Sequence, residues 1–530
     1  MDFNHEIHRR RTFAIVSHPD AGKTTLTEKL LLYGGAVQLA GSVTARKKER
    51  KTVSDWLEIE RKRGISVSST VLNFDYNGYR INLLDTPGHN DFSEDTYRVL
   101  TAVDSVVMVI DGGKGIEQQT RKLFEVCRRR NIPVVTFVNK LDRPALDTLA
   151  ILDEIEQVLK ISAYPMNWPL GSGVDFKGVW ERKTGLVHLF ERTIGGAFRA
   201  PVATHGITDQ VVRNLLDQNT YERICEEVAM VEEVGVKFNL DDILGGKTTP
   251  VFFGSAANNF GIQLLLDGFI ELSPPPAPRI SANFEIAPEN QKFSGFVFKI
   301  QANLDPLHRD RMAFVRIVSG KFTRDMPVVH VQSGKKLRLS NSNAIFGRER
   351  VSIDEAFPGD VIGMVGADYL SIGDTLSEDA DIVYDEIPSF PPECFAFLHN
   401  PLPSNYKRFQ KGLDQLVQEG LVHCFEVTNN ARRTPLLAAV GPLQFDLVQF
   451  RLKNEYGTDA RIEMTNWKLV RWLEKGCELD AKCHFPNGVE SARDKNGETV
   501  LLFPGEWHLN YFLDNNKEVR LSECPAYDKY

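Results

Sequence analysis

The sequence predicts a multidomain protein in which an α/β domain with an inserted subdomain is followed by a small β-barrel and then by an α+β domain. Its 530 residues suffice for about three domains, each with a core of its own. In the first half of the chain, apolar runs of strand length alternate with helical patterns, as in a parallel sheet covered by helices. Beyond the proline-rich segment 273–279, short apolar strands recur between turn signals, and further on strands and helices mix.

The composition excludes several classes of protein. A net charge of −8 and a pI near 5.9 argue against a surface that is basic throughout. Seven scattered cysteines without a CxxC pair favour a reducing cytosol, and the spacing of Cys477, Cys483 and His484 fits no usual zinc site. The amino terminus has no signal-peptide pattern, and no apolar stretch is long enough to span a membrane. We therefore expect a cytoplasmic protein without zinc or membrane contact.

A phosphate-binding loop is predicted near the amino terminus, between the apolar run 13–16 and a helical pattern through Leu26, Leu30 and Leu31. Such a loop directs backbone N–H groups at phosphate oxygens and adds an ammonium group and a hydroxyl group. Gly22, Lys23 and Thr24 supply these in order, with Lys23 for the β- and γ-phosphates and Thr24 for Mg²⁺. The whole candidate loop consists of Ser17, His18, Pro19, Asp20, Ala21, Gly22, Lys23, Thr24 and Thr25.

The polar, basic segment 45–66 follows this helix. Its positive charge leaves two interpretations open, a solvated surface or a contact with RNA phosphate. The hydroxyl group of Ser66 is a candidate Mg²⁺ ligand that binds only when a γ-phosphate is present, which would make the segment a switch between an ordered and a disordered state.

Two strands, 67–74 and 79–84, are predicted to form a hairpin, because an Asn-Gly turn signal lies between them. The second strand leads into Asp85, Thr86, Pro87, Gly88 and His89. Asp85 is placed to hold Mg²⁺ through water, and Gly88 lets the backbone approach the γ-phosphate. His89 then lies beside the attacking water and is the candidate catalytic residue.

Two further strands are predicted at 105–111 and 132–138, with a helix around 120–129 between them. The residues that follow the second strand are predicted to bind the base of the nucleotide. Asn139, Lys140, Leu141 and Asp142 follow. The Asp142 carboxylate can accept hydrogen bonds from the ring N–H and the amine of guanine, whereas adenine presents the wrong pattern. The sequence therefore predicts GTP as the nucleotide.

The span 143–250 is too long for a connection and is predicted to form an inserted subdomain, with helices at 150–159 and 209–234. The sheet resumes at 251–253, and a helix at 264–272 closes the domain, which we place at 1–279. Between them, Gly254, Ser255, Ala256 and Ala257 can direct backbone N–H groups at the guanine carbonyl, with Ser255 and Ala256 as the candidate contacts.

The second domain is predicted at 280–385 and the third at 386–530. Apolar strands at 296–298, 312–318, 328–331 and 360–365 predict a small β-barrel. The third domain is expected to have a strand at 394–398, a helix at 405–419, a strand at 436–440 and a helix at 442–452, an order typical of a split β-α-β plan.

Over essentially its whole length, the chain resembles the translational GTPases, and its first domain is thus identified as a P-loop GTPase domain. The resemblance rests on the motifs at 17–24, 63–66, 85–89, 139–142 and 254–256. Ser66 stands where most of these factors carry threonine, and 255–257 departs slightly from the usual final motif. The resemblance implies hydrolysis of GTP to GDP and phosphate, triggered on the ribosome, by a monomer that promotes the dissociation of class I release factors after peptide release.

Two alternatives remain open at this stage. An elongation-factor-like translocase would have a longer chain with further domains. A nucleotide-sensing scaffold that does not hydrolyse GTP would use His89 only structurally. Measuring phosphate release with and without ribosomes separates the scaffold from the enzyme.

Overall fold

The computed structural model describes residues 2–35, 66–190, 202–233, 235–281, 284–302, 311–340, 342–346, 349–366, 368–385, 387, 390–428, 434–479 and 483–524. The predicted basic segment lies outside these residues except for Ser66.

The strands of the first domain and its insertion are β1 (Arg10–Ser17), β2 (Thr70–Tyr76), β3 (Tyr79–Asp85), β4 (Ser105–Asp111), β5 (Val134–Asn139), β6 (Ser162–Pro165), β7 (Asn167–Leu170), β8 (Gly178–Glu181), β9 (Leu186–Phe190), β10 (Val202–Gly206) and β11 (Thr248–Phe253). The helices are α1 (Phe3–His8), α2 (Lys23–Tyr33), α3 (Ser93–Thr101), α4 (Gln118–Arg129), α5 (Thr148–Leu159), α6 (Gln210–Leu215), α7 (Gln218–Glu233), α8 (Leu240–Leu244) and α9 (Ile262–Leu272).

A seven-stranded sheet in the order β2-β3-β1-β4-β5-β11-β6 forms the centre of the first domain. All neighbouring strands are parallel except the β2–β3 hairpin, which confirms the predicted α/β sheet. Alternate residues of β1 enter two separate cores: Ala14 and Val16 pack with α4 and α5, whereas Phe13 and Ile15 pack with α2 and α9. A parallel sheet buried on both faces accounts for the near-continuous apolar runs in the sequence.

The hairpin confirms the Asn-Gly turn, since Asn77 and Gly78 both have positive φ angles, 47° and 83°. Its first strand begins later than predicted, at Thr70 rather than at residue 67. Val67 instead packs against Phe92 and Leu447, and Ser69 N donates to the Asp95 carboxylate over 2.7 Å. These contacts draw residues 67–69 away from the sheet.

The insertion folds around an antiparallel sheet in the order β10-β9-β8-β7, with Trp168 and Trp180 in its core. It also contributes β6 to the edge of the main sheet. The single helix predicted at 209–234 is two helices, α6 and α7. The chain breaks between them because Asp217 accepts a hydrogen bond from Thr220 N over 3.0 Å and starts a new helix.

The second region contains β12 (Arg279–Ile280), β13 (Glu285–Ile286), β14 (Ser294–Ala302), β15 (Arg311–Ser319), β16 (Phe322–Thr323), β17 (Pro327–His330), β18 (Lys335–Arg338), β19 (Ser342–Phe346), β20 (Glu349–Ser352), β21 (Glu355–Ala356), β22 (Val361–Val365) and β23 (Thr375–Ser377). Its main sheet has eight strands in the order β18-β17-β23-β14-β15-β22-β19-β20. Irregularities in the β14–β15 pairing bend this sheet, which gives the region a β-barrel-like architecture. The predicted strands at 296–298, 312–318, 328–331 and 360–365 correspond to β14, β15, β17 and β22.

The third region contains β24 (Cys394–His399), α10 (Tyr406–Gln418), β25 (His423–Val427), β26 (Leu436–Ala439), α11 (Leu443–Tyr456), β27 (Arg461–Met464), β28 (Leu469–Leu473), β29 (Glu490–Arg493), β30 (Thr499–Phe503), α12 (Glu506–Asn515) and β31 (Leu521–Ser522). Its sheet order, β27-β24-β26-β25-β29-β30-β28-β31, begins with the expected split β-α-β plan. The antiparallel unit from β28 onward extends that sheet through β29 and was not predicted.

The second region packs on the first through a buried ion pair, in which Arg316 Nη2 lies 2.6 Å from Asp104 Oδ2. The third region contacts both of the others. Glu419 Oε1 accepts from Ala302 N over 3.1 Å, and Arg98 Nη1 donates to the Gly420 carbonyl over 3.1 Å. Among the described helices, none is long and apolar enough to cross a membrane.

Candidate nucleotide site

The motifs predicted from the sequence meet at one edge of the parallel sheet. Ser17, Asp85, Asp111 and Asn139 are the last residues of β1, β3, β4 and β5. Since these strands are parallel, their carboxyl ends lie side by side, where α/β proteins bind ligands.

The phosphate loop joins β1 to helix α2, which begins at Lys23. Gly22 has φ 94° and ψ 24°, and an added Cβ atom there would overlap the Asn139 side-chain nitrogen. Glycine is therefore required at this position for two reasons, the left-handed backbone and the close approach of Asn139. The Ser17 hydroxyl donates locally to the His18 carbonyl over 2.9 Å, so its side chain stays within the loop.

His18, a residue of the loop, is fully buried, and its Nδ1 lies 3.4 Å from Thr120 Oγ1. Burial lowers the pKa of this imidazole, although Glu117, 3.9 Å from Nε2, opposes that effect. Pro19 lies against Gly88, and Asp20 has a positive φ of 66°.

The charged centre of the site pairs the Lys23 ammonium with the Asp85 carboxylate, and both side chains are buried. Thr24 Oγ1 and Ser66 Oγ are 3.4 Å apart. The structure thus brings the predicted phosphate and metal residues together. Thr25 follows in the first turn of α2 and is partly buried.

The segment between β3 and His89 is held in place by hydrogen bonds to neighbouring elements. Thr86 Oγ1 donates to the Ile15 carbonyl over 2.7 Å, and the Pro87 carbonyl accepts from Thr96 over 3.3 Å. The His89 ring is about one-third exposed, and its Nδ1 accepts a hydrogen bond from Asp91 N over 3.2 Å.

The predicted base-binding residues form a second cluster beside the loop. Asn139 donates to the Ala21 carbonyl over 2.8 Å and accepts from Ala256 N over 2.9 Å. Asp142 Oδ1 accepts from Ser255 Oγ over 2.6 Å.

Lys140, also in this cluster, has φ 69° and donates to Asp111 Oδ2 over 2.7 Å. Burial raises the pKa of Asp111, but the hydrogen bonds from Lys140 and Gly113 N outweigh burial and lower it. Lys140 is thereby held along the edge of the site.

Sequence reasoning missed two residues of this neighbourhood. Asp111 ends an apolar strand, and a charged residue at the carboxyl end of a buried strand is a signal that could have identified it. Asp91 faces His89, and its other partner, Leu443, lies 352 positions away, so no local pattern could reveal that contact.

The parallel sheet with its loop after β1, together with matches to three family models, identifies a GTPase of the translation-factor class. Residues 8–275 match the model of the elongation factor Tu GTP binding domain, and residues 292–379 match elongation factor G domain 2. Residues 384–513 match the class II release factor RF3, C-terminal domain.

Full-length relatives narrow the class further. A protein of Gloeobacter violaceus named peptide chain release factor 3 is 52% identical over 519 residues, with 98% of each chain covered. A relative of the same name from Cyanothece sp. is 50% identical, covering 98% of this chain and 95% of its own. The chain therefore belongs to the peptide chain release factor 3 family of translational GTPases.

A solved structure from Thermus thermophilus shares the fold. It aligns with a TM-score of 0.68 over 91% of this chain and 72% of its own, at 22% identity.

Proposed function

We propose that this protein acts in translation termination as a ribosome-dependent GTPase that promotes the dissociation of class I release factors after peptide release. The observation that carries the proposal is the similarity to proteins named peptide chain release factor 3 along 98% of the chain. Under this proposal the protein is a cytoplasmic monomer with domains at 1–279, 280–385 and 386–530, and it meets ribosomal RNA and ribosomal proteins.

The phosphates of GTP are assigned to the loop 17–25, with Lys23 at the β- and γ-phosphates. In this structure the Lys23 ammonium is paired with the Asp85 carboxylate. On nucleotide binding, the ammonium would pair with the phosphates instead and the carboxylate with the metal ion. The hydroxyl groups of Thr24 and Ser66 lie 3.4 Å apart, and the Asp85 carboxylate is paired with Lys23, the neighbour of Thr24 in the chain. All three groups are hard oxygen donors, and this donor set fits Mg²⁺. Mg²⁺ would neutralise negative charge on the β- and γ-phosphates.

The guanine base is assigned to Asp142, with Asn139, Lys140, Ser255 and Ala256 around it. Ser255 already donates to one carboxylate oxygen of Asp142 and so fixes the orientation of the carboxylate. Guanine has two adjacent N–H donors, which can both hydrogen-bond to the Asp142 carboxylate. Adenine lacks these donors and would leave the carboxylate without those hydrogen bonds.

Hydrolysis is assigned to His89, which orients the attacking water or stabilises charge near the γ-phosphate. We expect His89→Ala to bind GTP almost normally and to lose most ribosome-stimulated phosphate release. An exposed histidine of the first helix supplies the control variant, His5→Ala. If His89→Ala keeps its stimulated turnover within about threefold, roughly 0.7 kcal/mol of barrier, the assignment fails.

The termination role is tested with a labelled class I release factor on ribosomes that carry a deacylated transfer RNA. We expect faster dissociation of the release factor with GTP or a non-hydrolysable analogue than with GDP at matched occupancy, and slow departure of this protein with the analogue. A nucleotide shifts such an equilibrium only by binding two states differently. Equal dissociation rates with GDP and GTP would refute the termination role and leave the GTPase assignment intact.

A further inference from the structure

One carboxylate connects the candidate catalytic histidine to the third region of the chain. Asp91 Oδ1 lies 3.2 Å from His89 Nδ1, but this ring nitrogen accepts its hydrogen bond from Asp91 N, so the backbone of Asp91 binds the ring and the carboxylate holds that backbone in place. Asp91 Oδ2 accepts a hydrogen bond from Leu443 N over 2.8 Å. The Asp91 side chain is 13% exposed, so water competes little with either contact.

Leu443 is the first residue of helix α11, which runs to Tyr456. The first N–H groups of a helix lack partners within the helix and carry partial positive charge, so a carboxylate there is stabilised. Gly441, just before the helix, fits closely around this carboxylate, because a Cβ atom added to Gly441 would overlap the Asp91 carboxyl group. Asp91 is therefore seated in a site that the third region provides.

The His89 side chain is also hydrogen-bonded within the turn that it begins. Its ring nitrogen accepts from Asp91 N and caps the short helical turn at 90–92. The ring also lies edge-on to Phe92, with centroids 6.4 Å apart. The hydrogen bond from Asp91 N and the contact with Phe92 together hold the His89 ring in this position.

The same helix of the third region covers the segments that follow both predicted γ-phosphate contacts. Val67, next to Ser66, forms a buried cluster with Phe92 and Leu447. Leu443 and Phe450 of α11 pack against that cluster. Movement of α11 therefore changes the support of both segments at once.

We propose that Asp91 is a positioning residue that holds His89 in a resting orientation while α11 is seated on the first domain. When α11 withdraws, Asp91 loses the Leu443 N–H donor and the turn at 90–92 is released. The third region thus suppresses GTP hydrolysis away from the ribosome. This inference rests on the catalytic role proposed for His89.

The test uses Gly441→Ala in the full-length protein, because this change displaces the Asp91 carboxylate from a residue far from the nucleotide. Gly441 does not have a positive φ, so alanine is tolerated by its backbone. We expect kcat for GTP without ribosomes to rise at least about threefold with KM little changed. Gly505→Ala is the matched control, since nothing lies within 4 Å of a Cβ atom there.

Double variants show whether the effect passes through the proposed residues. Asp91→Ala should raise ribosome-free kcat as Gly441→Ala does, and combining the two should add nothing, because both act on one carboxylate. Asp91→Asn should fall between Asp91→Ala and the parent protein, since the amide oxygen still accepts from Leu443 N. In the background of His89→Ala, Gly441→Ala should have no effect.

Unchanged or lower ribosome-free kcat in both Gly441→Ala and Asp91→Ala would overturn the inference. If His89→Ala still removes stimulated turnover in that case, the proposed function stands. If His89→Ala has no effect on stimulated turnover, the catalytic assignment itself fails.

Discussion

Asn139 Nδ2 donates a hydrogen bond to the Ala21 carbonyl over 2.8 Å, which joins the base cluster to the phosphate loop. The Oδ1 atom of the same side chain accepts from Ala256 N over 2.9 Å. Asn139 is 2% exposed, so its single amide group joins the phosphate loop to the loop that contains Ala256 through hydrogen bonds from which water is largely excluded.

We predict that Asn139→Ala lowers both stability and GTP affinity. The change leaves Ala21 O and Ala256 N buried without Asn139, and an unsatisfied buried group costs about 1–3 kcal/mol. A lower urea midpoint and weaker GTP binding in a titration would agree. The exposed Asn454→Ala is the control and should change stability by no more than about 0.5 kcal/mol. Normal stability and affinity in Asn139→Ala would rule out this fastening role.

The order of the motifs along the chain was enough to predict that they meet, because parallel strands place their ends at one edge. The expected hairpin turn at Asn77 and Gly78 was equally predictable, since it depends on adjacent residues alone. The start of β2 could not be predicted from the sequence, because Val67 packs against Leu447 of the third region. The partner of Asp91 was hidden for the same reason, which is that a contact between distant segments leaves no local pattern.

We predict that Asp142→Asn weakens GTP binding sharply and favours xanthosine triphosphate, whose base offers an acceptor where guanine has an amine. The Ser255 hydroxyl 2.6 Å away can still donate to the amide oxygen, so the local geometry should persist. A competition titration between the two nucleotides measures the preference. An unchanged preference for GTP would remove Asp142 from the base site.

Lys23 and Thr24 should separate phosphate binding from Mg²⁺ binding. We expect Lys23→Ala to abolish productive GTP binding, because the ammonium group is the loop's cation. Thr24→Ala should retain some affinity that responds less to added Mg²⁺, since it removes one hydroxyl group of the Thr24 and Ser66 pair. GTP titrations at several Mg²⁺ concentrations measure both effects. A normal Mg²⁺ response in both variants would contradict the assignment.

Glu94 lies where the first and third regions meet and is 5% exposed. It is paired with Arg98, and its Oε2 atom lies 3.7 Å from His423 Nε2. Burial alone would raise the pKa of this carboxyl, but Arg98 and His423 outweigh burial and lower the pKa from 4.5 to about 2.

A folded-state pKa below the unfolded value means that the charged carboxylate stabilises the fold above the unfolded pKa. That stabilisation is lost as the pH falls from about 4.5 toward about 2. A shift of this size corresponds to about 3 kcal/mol at neutral pH.

We therefore predict that Glu94→Gln is less stable than the parent protein at pH 7, because Arg98 remains buried without its anion. The difference should shrink steadily below pH 4.5 as the parent protein loses the same charge. Urea unfolding at pH 7, 5, 4 and 3 measures it, with the exposed pair of Glu125 and Arg129 supplying Glu125→Gln as the control. A stability difference that stays constant from pH 7 to pH 3 would show that the Glu94 charge does not hold these two regions together.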